Sequence, residues 1–356
     1  MKRKYILALI LIVGMIAGLT SPTLAYETSI NISGATIAFD IYHGGYHTTA
    51  ADLDPIIGNL TAAGNTVLLI NETWELPDEV DALFLTQCDD AFTAAEMADV
   101  KAWLELNNKL LVVSGDSDYG GYFDASNLND LLAYIGTITR LDTTSIADIV
   151  YNDDADYRVA AVDFGEGDRP GTGHIAGNLT EGMDAGLILH GPCSLLAYDG
   201  YYVKDLRAST FPTYVEVVMW YSINATSSDA DVSDNITLYT ADESYDRYSR
   251  DNQTLYEHGG YPAIAWENLR HTLVNGTDSE MVIAGEAFYT FYKYMYGQAT
   301  ESGVYNGGIH YGQMFTNNML NYLLSEYVDG APYNFVFSLI PLAIIGCIYA
   351  LMKRRK

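Results

Sequence analysis

Short apolar runs alternate with amphipathic segments through residues 35–114, and no other feature of the chain limits its fold so closely. Ala35–Ile41 (ATIAFDI), Thr66–Asn71 (TVLLIN), Ala82–Thr86 (ALFLT) and Lys109–Ser114 (KLLVVS) are short and nearly continuous in hydrophobicity. Strands of that kind are buried on both faces, which requires a parallel sheet covered by helices. The intervening segments supply the helices. Ala50–Ala63 places Leu53, Ile57 and Leu60 on one side, while Thr93 and Glu96 form a capping box ahead of Met97, Val100 and Leu104. Asn107-Asn108 ends that second helix, and the connections suit right-handed crossovers. Met281–Gly285 (MVIAG) reads as a returning sheet strand and Tyr311–Glu326 as a closing helix. Asp148–Phe164, Leu187–Tyr198, Tyr214–Tyr221 and Ile236–Thr240 read as further strands, so 140–262 is expected to be a β-rich elaboration. The class is therefore α/β: a doubly wound, mostly parallel sheet with a β-rich insertion.

The ends carry a different signal. Lys2-Arg3-Lys4 followed by the uncharged run Tyr5–Leu19 and the small residues around Ala25 predicts a secretory signal over 1–25. Phe335–Met352 holds 18 uncharged residues before Lys353-Arg354-Arg355-Lys356. As a helix it reaches about 27 Å, close to a hydrocarbon core of about 30 Å. The expectation is one transmembrane helix at 335–352, a stalk at 328–334, a cytoplasmic tail at 353–356 and an ectodomain over 26–327. Residues 26–334 carry 11 Lys and Arg against 46 Asp and Glu. That field repels nucleic acid and anionic lipid surfaces, so neither is an expected partner. Aromatic residues make up 12% of the chain, which excludes a disordered acidic tail. Eight Asn-x-Ser/Thr triplets, at Asn31, Asn59, Asn71, Asn178, Asn224, Asn235, Asn252 and Asn275, suggest a glycosylated cell-surface protein. Cys88 and Cys193 form an even pair in an oxidising compartment, and one disulfide is expected between them.

The series FDIYHGG, then DALFLTQCDDAFTAAEMADVKAWLELNNKLLVVSGD, then MVIAGEAF and a closing helix resembles glutamine-amidotransferase-like domains. More specifically, it is similar to their noncatalytic relatives in membrane-anchored prokaryotic proteins and to the GIFT domain of intraflagellar transport. The resemblance covers about 34–140 and 262–327, and it implies a flavodoxin-like three-layer sandwich. Catalytic members carry Gly-x-Cys-x-Gly after a strand, where a sharp turn exposes the sulfur beside backbone donors. Here the stretch is Gly115-Asp116-Ser117-Asp118-Tyr119, with Ser for Cys and Tyr for the second Gly. The family's His-x-Glu near the last strand keeps only Glu286. Asp116 and Asp118 beside Ser117 would also oppose an oxyanion.

In a doubly wound sheet, ligands sit outside the carboxyl ends of the strands. The residues expected there are Asp40, His43, Gly44, Gly45, Glu72, Gly115, Asp116 and Glu286. Asp40, His43 and Asp116 are expected to line one pocket, with the glycines admitting a ligand to backbone N–H groups. No cofactor is implied. The leading expectation is a noncatalytic binding ectodomain that takes a glycan, peptide or neighbouring membrane protein. The alternatives are a degenerate hydrolase using Ser117, a metal site from His43 and His47 with Asp40 or Asp52, and a structural component of the cell envelope. Asp116–Asn127 half-matches a calcium loop. The run Tyr289–Tyr296, with Tyr198 and Phe123, offers either a stacking surface or a core face.

Overall fold

The computed structural model describes residues 29–45, 49–117, 123–163, 174–183, 186–198, 203–204, 206, 212–222, 224–228, 260–273, 277–291, 295–296 and 310–325. In chain order the strands are β1 (Thr36–Asp40), β2 (Thr66–Ile70), β3 (Ala82–Thr86), β4 (Leu110–Ser114), β5 (Thr139–Leu141), β6 (Ser145–Ala147) and β7 (Arg158–Asp163). They continue with β8 (Leu187–His190), β9 (Leu195–Tyr198), β10 (Val203–Lys204), β11 (Val215–Tyr221), β12 (Thr226–Ser228), β13 (Pro262–Asn268) and β14 (Glu280–Ala284). The helices are α1 (Ala50–Ala62), α2 (Ala94–Leu104), α3 (Ala125–Ile135), α4 (His174–Leu179) and α5 (Gly312–Leu323).

Nine strands form one sheet in the order β2-β1-β3-β4-β14-β13-β11-β7-β8. The first five pair in parallel, in the 2-1-3-4-5 pattern of flavodoxin-like folds. The other four are antiparallel, so the sheet is parallel over one half and not throughout. Three strands of the 140–262 stretch, β7, β8 and β11, thus extend the main sheet. The others pair as β10-β9-β5 and β12-β6.

Side-chain alternation divides the core into two layers. Ile37, Phe39, Phe84, Val112 and Val282 pack with Leu53, Ile56 and Leu60 of α1 and with Phe315 and Met319 of α5. Ala38, Leu83, Leu85, Val113 and Ile283 pack on the other face against Val100 and Trp103 of α2 and Leu128 and Leu132 of α3. Both faces of β3 and β4 are buried, which is why those strands read as unbroken apolar runs.

The helix punctuation follows the side chains. Thr93 and Glu96 exchange hydrogen bonds across the start of α2 (2.6 and 3.3 Å), and Thr49 and Asp52 do the same for α1. Asn107 and Asn108 turn the chain out of α2 in left-handed conformations, with φ of 76° and 56°. Two of the expected strands break. Asp148 accepts the N–H groups of Val150 and Tyr151, and this turn separates β6 from β7. Gly191, at φ 72°, separates β8 from β9. The segment 236–240 lies outside the described residues.

Among the described residues no helix is long and apolar enough to cross a membrane. The expected signal (1–25), stalk, membrane span and tail lie outside them, as do Asn235, Asn252 and Asn275. Both described ends of the chain meet at the amino edge of the sheet. Asn321 of α5 accepts the Asn31 N–H at 2.7 Å and donates to the Ser29 carbonyl at 3.1 Å.

Candidate functional site

The carboxyl ends of β1, β3, β4 and β14 stand side by side, and each brings a polar side chain within two residues of its end: Asp40, Gln87, Asp116 and Glu286. Their register is held from below. Tyr289 Oη lies 2.5 Å from Thr86 Oγ1 and 2.8 Å from Ser114 Oγ, tying the last residues of β3 and β4 together. Burial pushes the Tyr289 phenol well up, so it stays neutral and can donate. Above this level lie two groups of polar side chains.

The first closes the end of β1. Asp40 Oδ1 accepts the N–H groups of Tyr42 (2.9 Å) and His43 (3.3 Å), while Oδ2 meets His43 Nδ1 at 2.7 Å. His43 is 2% exposed and stacks on Phe92 with centroids 3.8 Å apart. Its Nε2 faces Glu96 Oε2 at 3.5 Å without forming a hydrogen bond. Burial lowers the basicity of this ring, but the Asp40 hydrogen bond and charge, with the charge of Glu96, outweigh it and raise the pKa. Asp40 thus takes three donors from its own turn, with Cys88 Sγ as a fourth at 3.8 Å. The Asp40–His43 motif is a buried clamp that ends the strand.

The second group spans β3, β4 and β14. Gln87 follows β3 with φ 48°, a left-handed conformation that costs a non-glycine residue about 1–2 kcal/mol. That backbone aims its amide across β4. Gln87 Nε2 donates to Glu286 Oε1 at 2.6 Å and to Asp116 Oδ2 at 3.3 Å. Glu286 Oε1 also accepts the Ala287 N–H (2.7 Å), and Asp116 Oδ1 accepts that of Ser117 (2.7 Å). The two carboxyls interact side chain to side chain. Glu286 is fully buried and its Oε2 receives no donor. Burial pushes Asp116 up to about 7, against the pull of the Ser117 N–H. Burial and then the Asp116 charge hold Glu286 well above the usual carboxylate range. The pair therefore keeps a proton between them near neutrality.

The expected site residues divide accordingly. Asp116 and Glu286 come together, and Asp40 and His43 come together. Among the described residues no hydrogen bond or ion pair joins the two pairs. Gly44 and Gly45 continue the His43 turn at φ 75° and 151°. Gly115 does not cradle a ligand. Its N–H bonds to the Ala284 carbonyl, and a Cβ there would lie 2.9 Å from Leu141 and 3.1 Å from Cys193 Sγ. Glu72 is exposed beyond the edge strand β2 and joins neither group. Gln87, which links both carboxyls, falls at the carboxyl edge in the sequence but was not among the expected binding residues. Its only signal was its place directly after a fully buried strand.

Several chemical alternatives lose their geometry. Ser117 is not a strained elbow residue, since the positive-φ non-glycine residues among those described are Gln87, Asn107, Asn108 and Asp154. Its N–H bonds to the Gly191 carbonyl at 2.8 Å, and its hydroxyl has no base partner among the described residues. Cys88 and Cys193 are buried and are not joined by the expected disulfide. Cys88 Sγ faces Asp40 Oδ2 at 3.8 Å, and burial with the Asp40 charge raises its pKa well up, which removes it as a thiolate nucleophile. Cys193 Sγ points toward Gly115. Among the metal candidates, Asp52 is used in its capping box and His47 lies outside the described residues. In the supposed calcium loop, Asp124 caps α3 and Asn127 donates to the Cys88 and Asp89 carbonyls. No cluster of three or more metal-ligating side chains occurs among the described residues. Tyr289 and Tyr296 are core residues, as is Phe123.

The similarity to known proteins is one of fold. No family model and no curated protein matches the sequence. The N-terminal domain of mmIFT52 superposes with a TM-score of 0.50 at 12% identity, over 81% of this chain and 97% of that domain. A protein described as one of the subunits of GMP synthase, from Thermoplasma acidophilum, matches at a TM-score of 0.37 and 8% identity, over 83% of this chain and 96% of that one. The exo-β-1,4-mannosidase Op5Man5 from Opitutaceae bacterium strain TAV5 matches at 0.33 and 10% identity, over 72% of this chain and 32% of that one.

Proposed function

We propose that this chain is a noncatalytic binding domain of the cell surface, which captures a ligand or partner through the carboxyl edge of its sheet. The observation that carries the reading is Glu286 Oε2, a fully buried carboxylate oxygen with no donor, set beside Asp116 and under the strained Gln87. Buried polar atoms without partners and left-handed non-glycine residues both concentrate where proteins bind something. The likeness of fold to the mmIFT52 N-terminal domain is compatible with a GIFT-type domain, and the departures at Ser117, in place of Cys, and at Ala284, in place of His, argue against amide hydrolysis. Ser29, Asn31 and Asn321 lie at the amino edge, on the side opposite the carboxyl cluster. A membrane span at 335–352 would then leave the cluster facing outward, toward glycans, peptides or neighbouring proteins.

The test is a thermal-shift panel on the full-length protein with saccharides, short peptides and amines, repeated on Asp116→Asn and Glu286→Gln. The expected result is stabilisation by at least one class that disappears in both variants, with no ammonia released from glutamine by the wild type. Stabilisation that survives both substitutions would move the site elsewhere. Glutamine hydrolysis abolished by Ser117→Ala would instead establish the hydrolase.

A further inference from the structure

We propose that β2 is a pairing edge for a second copy of this chain, the two β2 strands joining antiparallel about a two-fold axis at Leu68. This surface is separate from the carboxyl edge and does not depend on the binding role proposed there. The nine-stranded sheet ends at β2 on one side and at β8 on the other. β8 is buried over its first three residues, whereas in β2 Thr66 is exposed and Val67, Leu68 and Leu69 are only half-buried. Among the described residues β2 pairs with β1 alone.

The main chain of β2 limits the occupant to another strand. The Thr66 N–H donates to the Ala35 carbonyl and the Ile70 carbonyl accepts the Ile41 N–H, so residues 66, 68 and 70 face β1. Strand alternation then turns the N–H and C=O groups of Val67 and Leu69 outward. Open edges are ordinarily protected by a lysine, a proline or a bulge. The sequence TVLLI has no charge and no proline, and its register with β1 runs without a shift. Such an edge accepts an extended apolar strand through main-chain hydrogen bonds.

Self-complementarity selects a second copy. With the axis at Leu68, Val67 of each copy faces Leu69 of the other, and both pairs exchange N–H···O bonds in each direction. Leu68 meets Leu68 and Thr66 meets Ile70, so every cross-strand contact is between uncharged side chains. Charge fixes the direction. Residues 61–66 (TAAGNT), leading into the strand, carry no charge, whereas the exposed Glu72 and Glu75 follow its carboxyl end. Antiparallel pairing sets each acidic end beside the neutral end of the other copy; parallel pairing would set acid against acid. The opposing force is long-range: residues 26–334 carry 46 acids against 11 cations. Salt screens that repulsion and leaves the edge bonds in place, so pairing should tighten as ionic strength rises.

The experiment is sedimentation equilibrium of the full-length protein over a range of concentrations at low and high salt. The wild type should show a monomer–dimer equilibrium that tightens in high salt. The Val67 N–H points away from β1, so Val67→Pro removes an edge donor without breaking the sheet and should weaken dimerisation about tenfold or more. Leu69→Pro takes its place if circular dichroism shows the first variant misfolded. Leu68→Cys gives a readout that depends on neither. Across the axis the two positions form a non-hydrogen-bonded pair with Cα atoms about 4.5 Å apart, within reach of a disulfide. Mild oxidation should yield a covalent dimer whose bond maps to residue 68 by peptide mass, while Ala102→Cys, exposed on α2, should yield none. A protein that stays monomeric at every concentration in high salt would overturn the proposal. So would a dimer that a folded proline variant does not weaken, or one that forms no bond at residue 68.

Discussion

Replacing Asp40 tests whether the end of β1 is a clamp or a ligand site. Asp40 is fully buried and holds three donors: the Tyr42 and His43 N–H groups and His43 Nδ1 at 2.7 Å. Asp40→Ala removes all three bonds and leaves His43 buried beside Glu96 without its main partner. Breaking a buried pair of this kind costs about 3–5 kcal/mol. Asp40→Asn keeps the acceptor for the turn but loses the charge on the histidine, for which about 1.5–3 kcal/mol is expected. The pH dependence gives a second signature. The folded-state pKa of His43 is raised, so its contribution is complete below the ordinary histidine value and declines as pH rises through the folded value. Asp40→Asn should therefore destabilise more at pH 5.5 than at pH 8.5. Urea unfolding of the full-length protein at both pH values measures this directly. A loss below about 0.5 kcal/mol for Asp40→Ala, or an equal loss for Asp40→Asn at both pH values, would refute the clamp and return Asp40 to the ligand site.

Three other outcomes are expected. Burial pushes His310 down to about 3, so the unfolded chain takes up a proton below 6.5 that the folded chain refuses. Stability should fall by about 2 kcal/mol between neutral pH and pH 5, and His310→Asn should flatten that limb in acid-unfolding curves. Cys88 and Cys193 are buried and not joined by a disulfide, so a thiol alkylator should label neither in the native protein and both after unfolding without reductant; a mass corresponding to a disulfide would contradict this. If the protein is expressed in a glycosylating host, the exposed Asn31 and Asn71 should carry glycan while Asn59 should not, because its amide donates to Tyr296 Oη at 2.9 Å; site occupancy by mass spectrometry decides.

The parallel half of the fold was legible because both faces of its strands are buried and its helices are punctuated by side chains that act locally. The Thr93–Glu96 box and the Asn107-Asn108 stop depend on nothing distant. The antiparallel half was harder. Ile149 and Val150 look like strand residues but are 81% and 56% exposed, on a turn that Asp148 organises from its own side chain. Helix α3 overlaps the stretch that half-matches a calcium loop, but Asp124 is its N-cap and Asn127 reaches back to the loop after β3. Asp116 and Glu286 could be named from their positions after apolar strands. Their partner could not, since the reach of Gln87 depends on a backbone angle that composition does not reveal. The disulfide failed for a related reason: both cysteines follow or precede strand ends, but one sulfur faces Asp40 and the other Gly115.

Gln87 connects the two halves of the edge, and its strain can be separated from its hydrogen bonds. Its main chain leads into Cys88, whose sulfur faces Asp40, while its side chain holds Asp116 and Glu286. Gln87→Ala deletes the amide but keeps a Cβ at φ 48°; Gln87→Gly deletes the amide and relieves the backbone as well. Both leave the two acids with their shared proton and the Ala287 and Ser117 N–H groups but without the amide that links them, so both should destabilise. The difference between them isolates the backbone. A left-handed residue with a Cβ costs about 1–2 kcal/mol, and the extra unfolded-state entropy of glycine returns about 0.5–1. Gln87→Gly should thus be more stable than Gln87→Ala by up to about 1 kcal/mol, measured by urea unfolding at pH 7. If alanine proves the more stable of the two by that margin, the backbone at residue 87 is not left-handed, and the amide cannot be aimed across β4 in the way the cluster requires.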